Sequence, residues 1–378
     1  KDLVKKDSKD SYKDHLYGLL IVGGGGTRLW PVSKSSSPKQ FLKLFNHKTL
    51  TQITSYRFNK ILDWEHIFAV TTSDEYKKEI IKEVPEFVHE NIIVEPMKRN
   101  TAAAHALGAV FILKKDSKAV ILNETADHLV DPQREYLKNL LSAGEAVFEK
   151  DVLLAIGIKP TYPNTGYGYI KLGEKLTEID SKHVFNLDSF KEKPDLETAK
   201  KYLADGKYFW NGGQYVWSAQ SFLDALKKHA TEIYNGIETI GNSIGTNSQK
   251  EVINSVYEKL PDVSVDYAVS EKADNFITII ADYGWTDIGD WKEVWENSPK
   301  DHNGNVIITD GEKGGEVINI DTTDALIHSD GRLIAAIDVD NLIIVDTKDV
   351  LLVCSKSHAQ SVKKIVELLK SQKRKDLL

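Results

Sequence analysis

The sequence predicts an α/β fold, with a mixed, mostly parallel sheet carrying helices on both faces, followed by a small all-β module closed by one helix. Three observations lead there. Short apolar runs alternate with helical patterns through the first half of the chain. A run of four glycines follows directly on the first apolar run. Near Pro299 the pattern changes to short strands separated by Asp, Gly and Asn turns.

The predicted strands are residues 16–22, 67–71, 92–94, 119–122 and 152–158, each a buried apolar run. Between them, Asn100 is a candidate N-cap for an alanine-rich helix over 101–115. Asp131 and Pro132 read as cap and first turn of a helix over 133–150, with Leu137, Leu140, Leu141 and Phe148 on one face. Residues 195–205 carry Leu196, Ala199, Tyr202 and Leu203 at helical spacing and stop at Gly206. Beyond Pro299, strands are expected at 317–320, 333–337, 342–345 and 351–353, with no clean repeat period, and a helix at 361–370. The expected division is a frayed tail over 1–15, an α/β domain over 16–298 and the β module over 299–378.

Composition limits the function. The chain has 378 residues, 41% apolar and 28% charged, enough for two domains and a large core. Its net charge of -7 and pI near 5.9 argue against nucleic acid or an anionic membrane as partner, since both require a broad basic face. No run approaches the roughly 18 apolar residues of a membrane span. The single cysteine, Cys354, lies in an apolar strand and reads as a small buried hydrophobe. One cysteine excludes an internal disulfide and fits a reducing, cytoplasmic setting.

The chemistry concentrates in six motifs. Gly23, Gly24, Gly25, Gly26, Thr27 and Arg28 leave a strand's carboxyl end, and Lys39 follows at Pro38-Lys39-Gln40-Phe41. Successive glycine amides with nearby cations form a cradle for nucleotide phosphates. Neither common phosphate fingerprint fits, because Arg28 and Leu29 stand where a Walker loop needs lysine and a hydroxyl, and Arg28 replaces the last glycine of a dinucleotide loop. The other motifs are Glu95-Pro96-Met97-Lys98-Arg99-Asn100-Thr101-Ala102, Thr125-Ala126-Asp127-His128, the Gly166-Tyr167-Gly168 loop, the pairing of Glu192-Lys193-Pro194 with Trp210-Asn211-Gly212-Gly213, and Trp285-Thr286-Asp287-Ile288-Gly289-Asp290. Four of these have a plainer alternative: a helix cap at Asn100, a loop carboxylate at Asp127, a structural hairpin at Gly166, and a solvated ion pair at Glu192 and Lys193. Asp290 reads as a helix cap and His128 as a packing or hydrogen-bonding residue. No paired cysteines or His-Glu-x-x-His spacing points to zinc.

Taken in order, these motifs resemble the sugar-1-phosphate nucleotidylyltransferases, from about residue 16 to 291 and more weakly beyond. Trp30 and Gln40-Phe41 are most similar to the branch that acts on mannose 1-phosphate with GTP. Thr125 replaces the usual Pro, Asn164 a common Glu, and Gly212 a common Ser. The resemblance implies a Rossmann-like sheet and a β-helix in the C-terminal module, a type of module that serves dimer contacts or covers a sheet edge; a homodimer is one expectation. It implies that Asn100 contacts the nucleotide, and that Gly166, Glu192, Lys193 and Asn211 hold the sugar phosphate. It also implies that Asp127 and Asp287 ligate Mg²⁺, with Arg28 and Lys39 stabilising the leaving pyrophosphate. Another nucleotide or hexose, or a non-catalytic binding paralogue, remains as the alternative. Guanine preference is not readable from the residue types.

Overall fold

A computed structural model describes residues 11–24, 26–34, 37–45, 47–309 and 315–378. Gly25, one of the expected phosphate-loop glycines, and residues 1–10 lie outside the described residues. The chain divides into two compact units, each discontinuous in sequence. The first comprises residues 1–22, 55–125 and 130–285, and the second residues 23–54, 126–129 and 286–378.

The first unit is built on a nine-stranded sheet. Its strands are β1 (Leu16–Val22), β2 (Ile67–Thr71), β3 (Ile92–Val94), β4 (Val120–Thr125), β5 (Leu153–Ile158), β6 (Gly168–Ile179), β7 (Lys182–Lys191), β8 (Tyr208–Ser218) and β9 (Phe276–Ile280). The order is β3-β2-β1-β4-β8-β5-β9-β7-β6. Only β7 and β8 run against the rest, so the sheet is mixed and mostly parallel, as the sequence predicts. Every residue of β1, β2 and β5 is buried, which explains their uninterrupted apolar runs. The helix Asn100–Lys115 sets Ala102, Ala103, Ala106, Leu107 and Ala109 into a core shared with Leu19, Trp217 and Phe222. Alanine lets this helix lie close to its neighbours without overpacking.

Several local expectations change. Ser11 caps a short turn of helix at Tyr12–His15, and His15 lies 2.7 Å from the Asp116 carboxylate, so residues 11–15 are anchored and do not fray. Asn100 opens its helix with φ +64°, and its Oδ1 accepts from the Thr101 amide at 2.9 Å; the capping position itself is Arg99. Asp131 makes no cap, because Pro132 takes that position and the helix runs over Gln133–Val147. The helix Leu196–Asp205 matches expectation, with Asp195 bonding the Thr198 amide and Gly206 ending it at φ +74°.

The second unit does not begin at residue 299. Leu29, Trp30, Leu42, Leu44, Phe45 and Leu50 share one core with Ile288, Trp291, Val294 and residues of the C-terminal strands and helix. The Trp291 indole donates to the Trp30 carbonyl at 3.0 Å, and the Trp30 indole donates to the Leu377 carbonyl at 2.8 Å. Burial of this apolar surface, and not chain order, groups the glycine loop with the C-terminal module.

That module is a stack of short parallel strands. Val306–Thr309 pairs with Leu326–Ser329, Leu326–Ser329 with Leu342–Asp346, and Glu316–Ile320 with Leu333–Ile337. Leu351–Ser355 adds antiparallel, and Val362–Ser371 is the closing helix. A repeat that the sequence conceals is visible here: Glu316 lies opposite Leu333 and Leu326 opposite Ile343, each 17 positions on. Corners at Asp321, Asp324, Asp338 and Asn341 take positive φ of 50°, 49°, 53° and 55°, the conformation that Asp and Asn tolerate best after glycine. Cys354 is half-buried against the unit's core, and burial raises its thiol above the ordinary value. Among the described residues no helix is long and apolar enough to cross a membrane.

Candidate functional site

Within the second unit, one cavity of about 230 Å³ is lined by Gly24, Gly26, Thr27, Arg28, Lys39, Gln40, Asp127, Asp287 and Gly289. Three separate stretches of sequence therefore converge, and both predicted metal carboxylates are among them. Gly26 adopts φ +54°, and a Cβ on it would come 2.5 Å from the Lys39 Cβ. Gly24 has φ +119° and nothing within 4 Å of the position a Cβ would take, leaving open space over the loop. One glycine keeps Lys39 in place and the other keeps the mouth clear. Gly26→Ala is expected to destabilise the protein by about 1–2 kcal/mol from the left-handed backbone alone and to lower activity by displacing Lys39. Melting temperature and turnover, measured together, check this; unchanged values for both contradict it.

The cations are disposed differently. Lys39 is buried; its Nζ lies 2.7 Å from Asp127 Oδ2 and donates to the Asp287 carbonyl oxygen. Arg28 makes no ion pair or hydrogen bond among the described residues, and its guanidinium lies against Gly289, where an added Cβ would meet it at 3.2 Å. An uncommitted guanidinium in a polar cavity offers its whole donor fork to an anion.

The turn bearing Asp287 is held from below. Glu293 Oε2 accepts from the Gly289 amide at 2.6 Å and the Thr286 hydroxyl at 3.0 Å, and the Thr286 hydroxyl also accepts from the Ile288 amide at 3.1 Å. Burial first, then the charge of Asp287, raises the Glu293 carboxyl. Asp290 caps the following helix through the amides of Lys292 and Glu293 at 2.9 and 3.2 Å, as expected. His128 is buried, and its Nε2 lies 3.8 Å from Asp127 Oδ1.

The chemistry of the cavity suits a hard divalent cation. Asp127 and Asp287 both line it, and the Lys39 ammonium lies against the Asp127 carboxylate. No group of three or more His, Cys, Asp or Glu among the described residues is arranged to hold a metal. A cation held by these two carboxylates would need its remaining oxygens from other donors, such as phosphate and water.

The first unit carries a second cluster. Glu192 is buried, its Oε1 2.7 Å from Lys193 Nζ, and a Cβ on Gly168 would lie 2.5 Å from Glu192 Oε2 and 3.4 Å from the Asn211 Cβ. Asn211 donates to the Tyr215 hydroxyl at 2.9 Å and to Asp266 Oδ1 at 3.1 Å, while its Oδ1 accepts from the Gly213 amide at 3.2 Å. Both amide donors are thus committed within the protein. Gly212 and Gly213 lie in a bulge of β8 opposite β5, which gives room for this local bond. Burial, then the charge of Asp266, raises Glu192, with Lys193 opposing. For Lys193, burial is outweighed by its hydrogen bond to Glu192 and by the charges of Glu192 and Asp266, so its pKa is raised and it stays cationic.

Gly166 sits in an exposed loop, its amide donating to Asn164 Oδ1 at 2.6 Å. The loop's Tyr162 and Tyr167 rings meet Trp210, next to Asn211, edge-on at 5.1 and 5.3 Å. Asn100 is exposed and takes no part in that cluster's hydrogen bonds, and Gly23 follows β1 outside the cavity lining. Asp266, Tyr215 and Glu293 are residues that sequence reasoning missed. Tyr215 was findable, because Asn211 and Tyr215 are both on β8 four positions apart. Asp266 sits in a wide helical turn over Asp266–Ser270, and its Tyr215 partner is 51 positions away, so no local pattern signals it.

The motif around Glu95 also carries a pH effect. Burial, partly offset by the Tyr257 hydroxyl and Lys98, raises the Glu95 carboxyl from 4.5 to about 7. Between those values the folded chain retains a proton that the unfolded chain has lost, so stability falls as pH rises through the window and levels off above it. The fall is on the order of 3 kcal/mol. Glu95→Gln is expected to remove it. Urea unfolding at pH 5 and pH 8 tests this, and an equal loss in both proteins contradicts it.

The nucleotidyl transferase family matches residues 17–304. The chain belongs to that family. This nucleotidyltransferase also matches, over residues 315–369, the mannose phosphate isomerase/GMP-like β-helix domain, consistent with its parallel C-terminal strands. A mannose-1-phosphate guanylyltransferase of Klebsiella pneumoniae is 36% identical over 365 residues, covering 96% of this chain and 75% of the relative. One from Escherichia coli is 36% identical over 363 residues, covering 95% and 75%. A solved structure from Thermus thermophilus, termed a mannose-1-phosphate geranyltransferase, aligns with a TM-score of 0.81 at 29% identity, over 94% of this chain and 99% of its own.

Proposed function

We propose that the protein transfers GMP from GTP to mannose 1-phosphate, giving GDP-mannose and pyrophosphate. The observation that carries this reading is the single cavity in which Arg28, Lys39, Asp127 and Asp287 converge on a glycine loop. The names of its relatives supply the substrates. The sugar phosphate is already an anion near pH 7, so no protein nucleophile is required. What the chain must do is bring two anions together and disperse their charge.

The loop amides and Arg28 bind the triphosphate, with Arg28 and Lys39 taking up the charge that grows on the departing pyrophosphate. A divalent cation, Mg²⁺ by the donor set, would be held by Asp127 and Asp287 and would polarise the α-phosphate. Lys193 orients the attacking phosphate. Glu192 and Asp266 accept hydrogen bonds from hexose hydroxyls, and the aromatic loop at Gly166 supplies an apolar wall. Asn100 contacts the nucleoside.

A substrate panel tests the reading. Purified protein with Mg²⁺ is given each nucleoside triphosphate with mannose or glucose 1-phosphate, and pyrophosphate release is followed. Release fastest with GTP and mannose 1-phosphate is the expected result. Release only with UTP or dTTP would overturn the guanylyl assignment while keeping the transferase chemistry.

A further inference from the structure

The motif over residues 95–102 carries Asn100, the residue expected at the nucleotide. In the structure, three of its other side chains, those of Glu95, Arg99 and Thr101, grip another piece of the first unit. Arg99 Nε donates to the Tyr257 carbonyl at 2.7 Å and its Nη2 to the Glu258 carbonyl at 2.6 Å. The Tyr257 hydroxyl donates to Glu95 Oε1 at 3.0 Å. Thr101 Oγ1 accepts from the Val265 amide at 2.9 Å, and the Ala102 amide donates to the Val263 carbonyl at 3.3 Å. Both ends of the segment 257–265 are thereby tied to the start of one helix.

The next residue is Asp266. Its Oδ1 accepts from the Tyr215 hydroxyl at 2.6 Å and from Asn211 at 3.1 Å, and its charge acts on both Glu192 and Lys193. A carboxylate's usefulness depends on placement to a fraction of an ångström, which packing and a supporting layer of hydrogen bonds must supply. The backbone reaching Asp266 is irregular over 261–264, and Asp266 opens a short wide helical turn over Asp266–Ser270. The Thr101 hydroxyl, bonded one residue upstream, ties it to the helix start, while Ser264 accepts from the Tyr267 and Ala268 amides within the turn.

We propose that Arg99 and Thr101 are positioning residues for the sugar-phosphate end of the reaction, acting by fixing the segment 257–265 so that Asp266 meets Asn211. This rests on the reading that Glu192, Lys193 and Asp266 receive the sugar phosphate. The guanidinium is required because its fork spans two successive carbonyls, which a lysine ammonium does not match. The hydroxyl is required because a bare Val265 amide would lose its acceptor. The motif then serves both substrates: Asn100 toward the nucleotide, its neighbours toward the sugar.

Steady-state kinetics on four variants test this, with KM measured separately for each substrate that the panel identifies. Asp266→Asn probes the underlying reading and is expected to raise KM for the sugar phosphate at least about 10-fold, leaving the nucleotide KM within about twofold. Thr101→Val and Arg99→Lys are expected to shift the same constant in the same direction, by about 3–10-fold, and Thr101→Ser to restore it. Thr101→Val guards against misfolding of the arginine variant, since it removes a single acceptor. If Asp266→Asn moves the sugar-phosphate KM but Thr101→Val does not, or moves the nucleotide KM instead, the positioning role is overturned. If Asp266→Asn leaves the sugar-phosphate KM unchanged, the sugar-site reading itself fails, and the proposal with it.

Discussion

Asp287→Asn is expected to lower turnover on the order of 100-fold or more, the loss typical of removing one charge-stabilising group from a reacting centre. The substitution keeps the size of the side chain. The turn around it is held by other groups: Glu293 on the Gly289 amide and the Thr286 hydroxyl, and Lys39 on the Asp287 carbonyl. None of these uses the Asp287 carboxylate. A melting temperature measured beside the rate separates a folding defect from the loss of negative charge. Relief of repulsion on Glu293 adds a second sign, because its carboxyl is raised in part by Asp287. Near-normal turnover in a folded variant would remove Asp287 from the cation site.

Arg28→Ala is expected to reduce turnover by a similar factor, about 100-fold, with almost no change in stability. The asymmetry follows from geometry. Arg28 has no ion pair or hydrogen bond among the described residues to lose, so truncation leaves no buried group orphaned. Stability should shift by no more than about 0.5 kcal/mol. Lys39 contrasts with this, because it is paired with Asp127 and its removal disturbs both charge and packing. Arg28→Lys is expected to recover only part of the rate, since a point charge does not reproduce the fork. A variant that loses activity together with its melting temperature would contradict the assignment of Arg28 to the anion.

Much of the fold was legible because burial was extreme. Strands such as β1 and β2 are buried at every position and read as unbroken apolar runs. Asp195, Gly206 and Asp290 were legible because helix ends need particular side chains. The hairpin β6–β7 was not legible: much of it is exposed, so Lys, Glu and Asp interrupt its pattern. The strand Leu326–Ser329 was hidden because His328 and Ser329 are polar yet buried, their side chains bonded to the Asp346 and Arg332 carbonyls. The 17-residue period is carried by few positions, the corner pairs Asp321 and Asp338, and Asp324 and Asn341, and by a register visible only in the pairing of the strands.

The candidate site divides in the same way. Glycine loop, Arg28, Lys39, Asp127 and Asp287 were found through motifs, and the fold brings the described members of that set, other than Gly23, to one cavity. Asn211 was found, but its two donors proved to be bound to Tyr215 and Asp266. Asp266 escaped because its environment is assembled from chain segments far apart, and a single carboxylate between Val265 and Tyr267 resembles many surface ones. Long-range pairing is what a sequence read residue by residue conveys least.

The central claim is that Asp127 and Asp287 jointly hold a divalent cation on the nucleotide's phosphates. Electron paramagnetic resonance of Mn²⁺, titrated into protein with GTP present, measures this directly. At concentrations where Mn²⁺ and GTP are partly dissociated, the wild-type protein should lower free Mn²⁺ below the level that GTP alone sets, and the doubly substituted Asp127→Asn, Asp287→Asn protein should leave it near that level. Equal uptake of Mn²⁺ by both proteins would contradict the account.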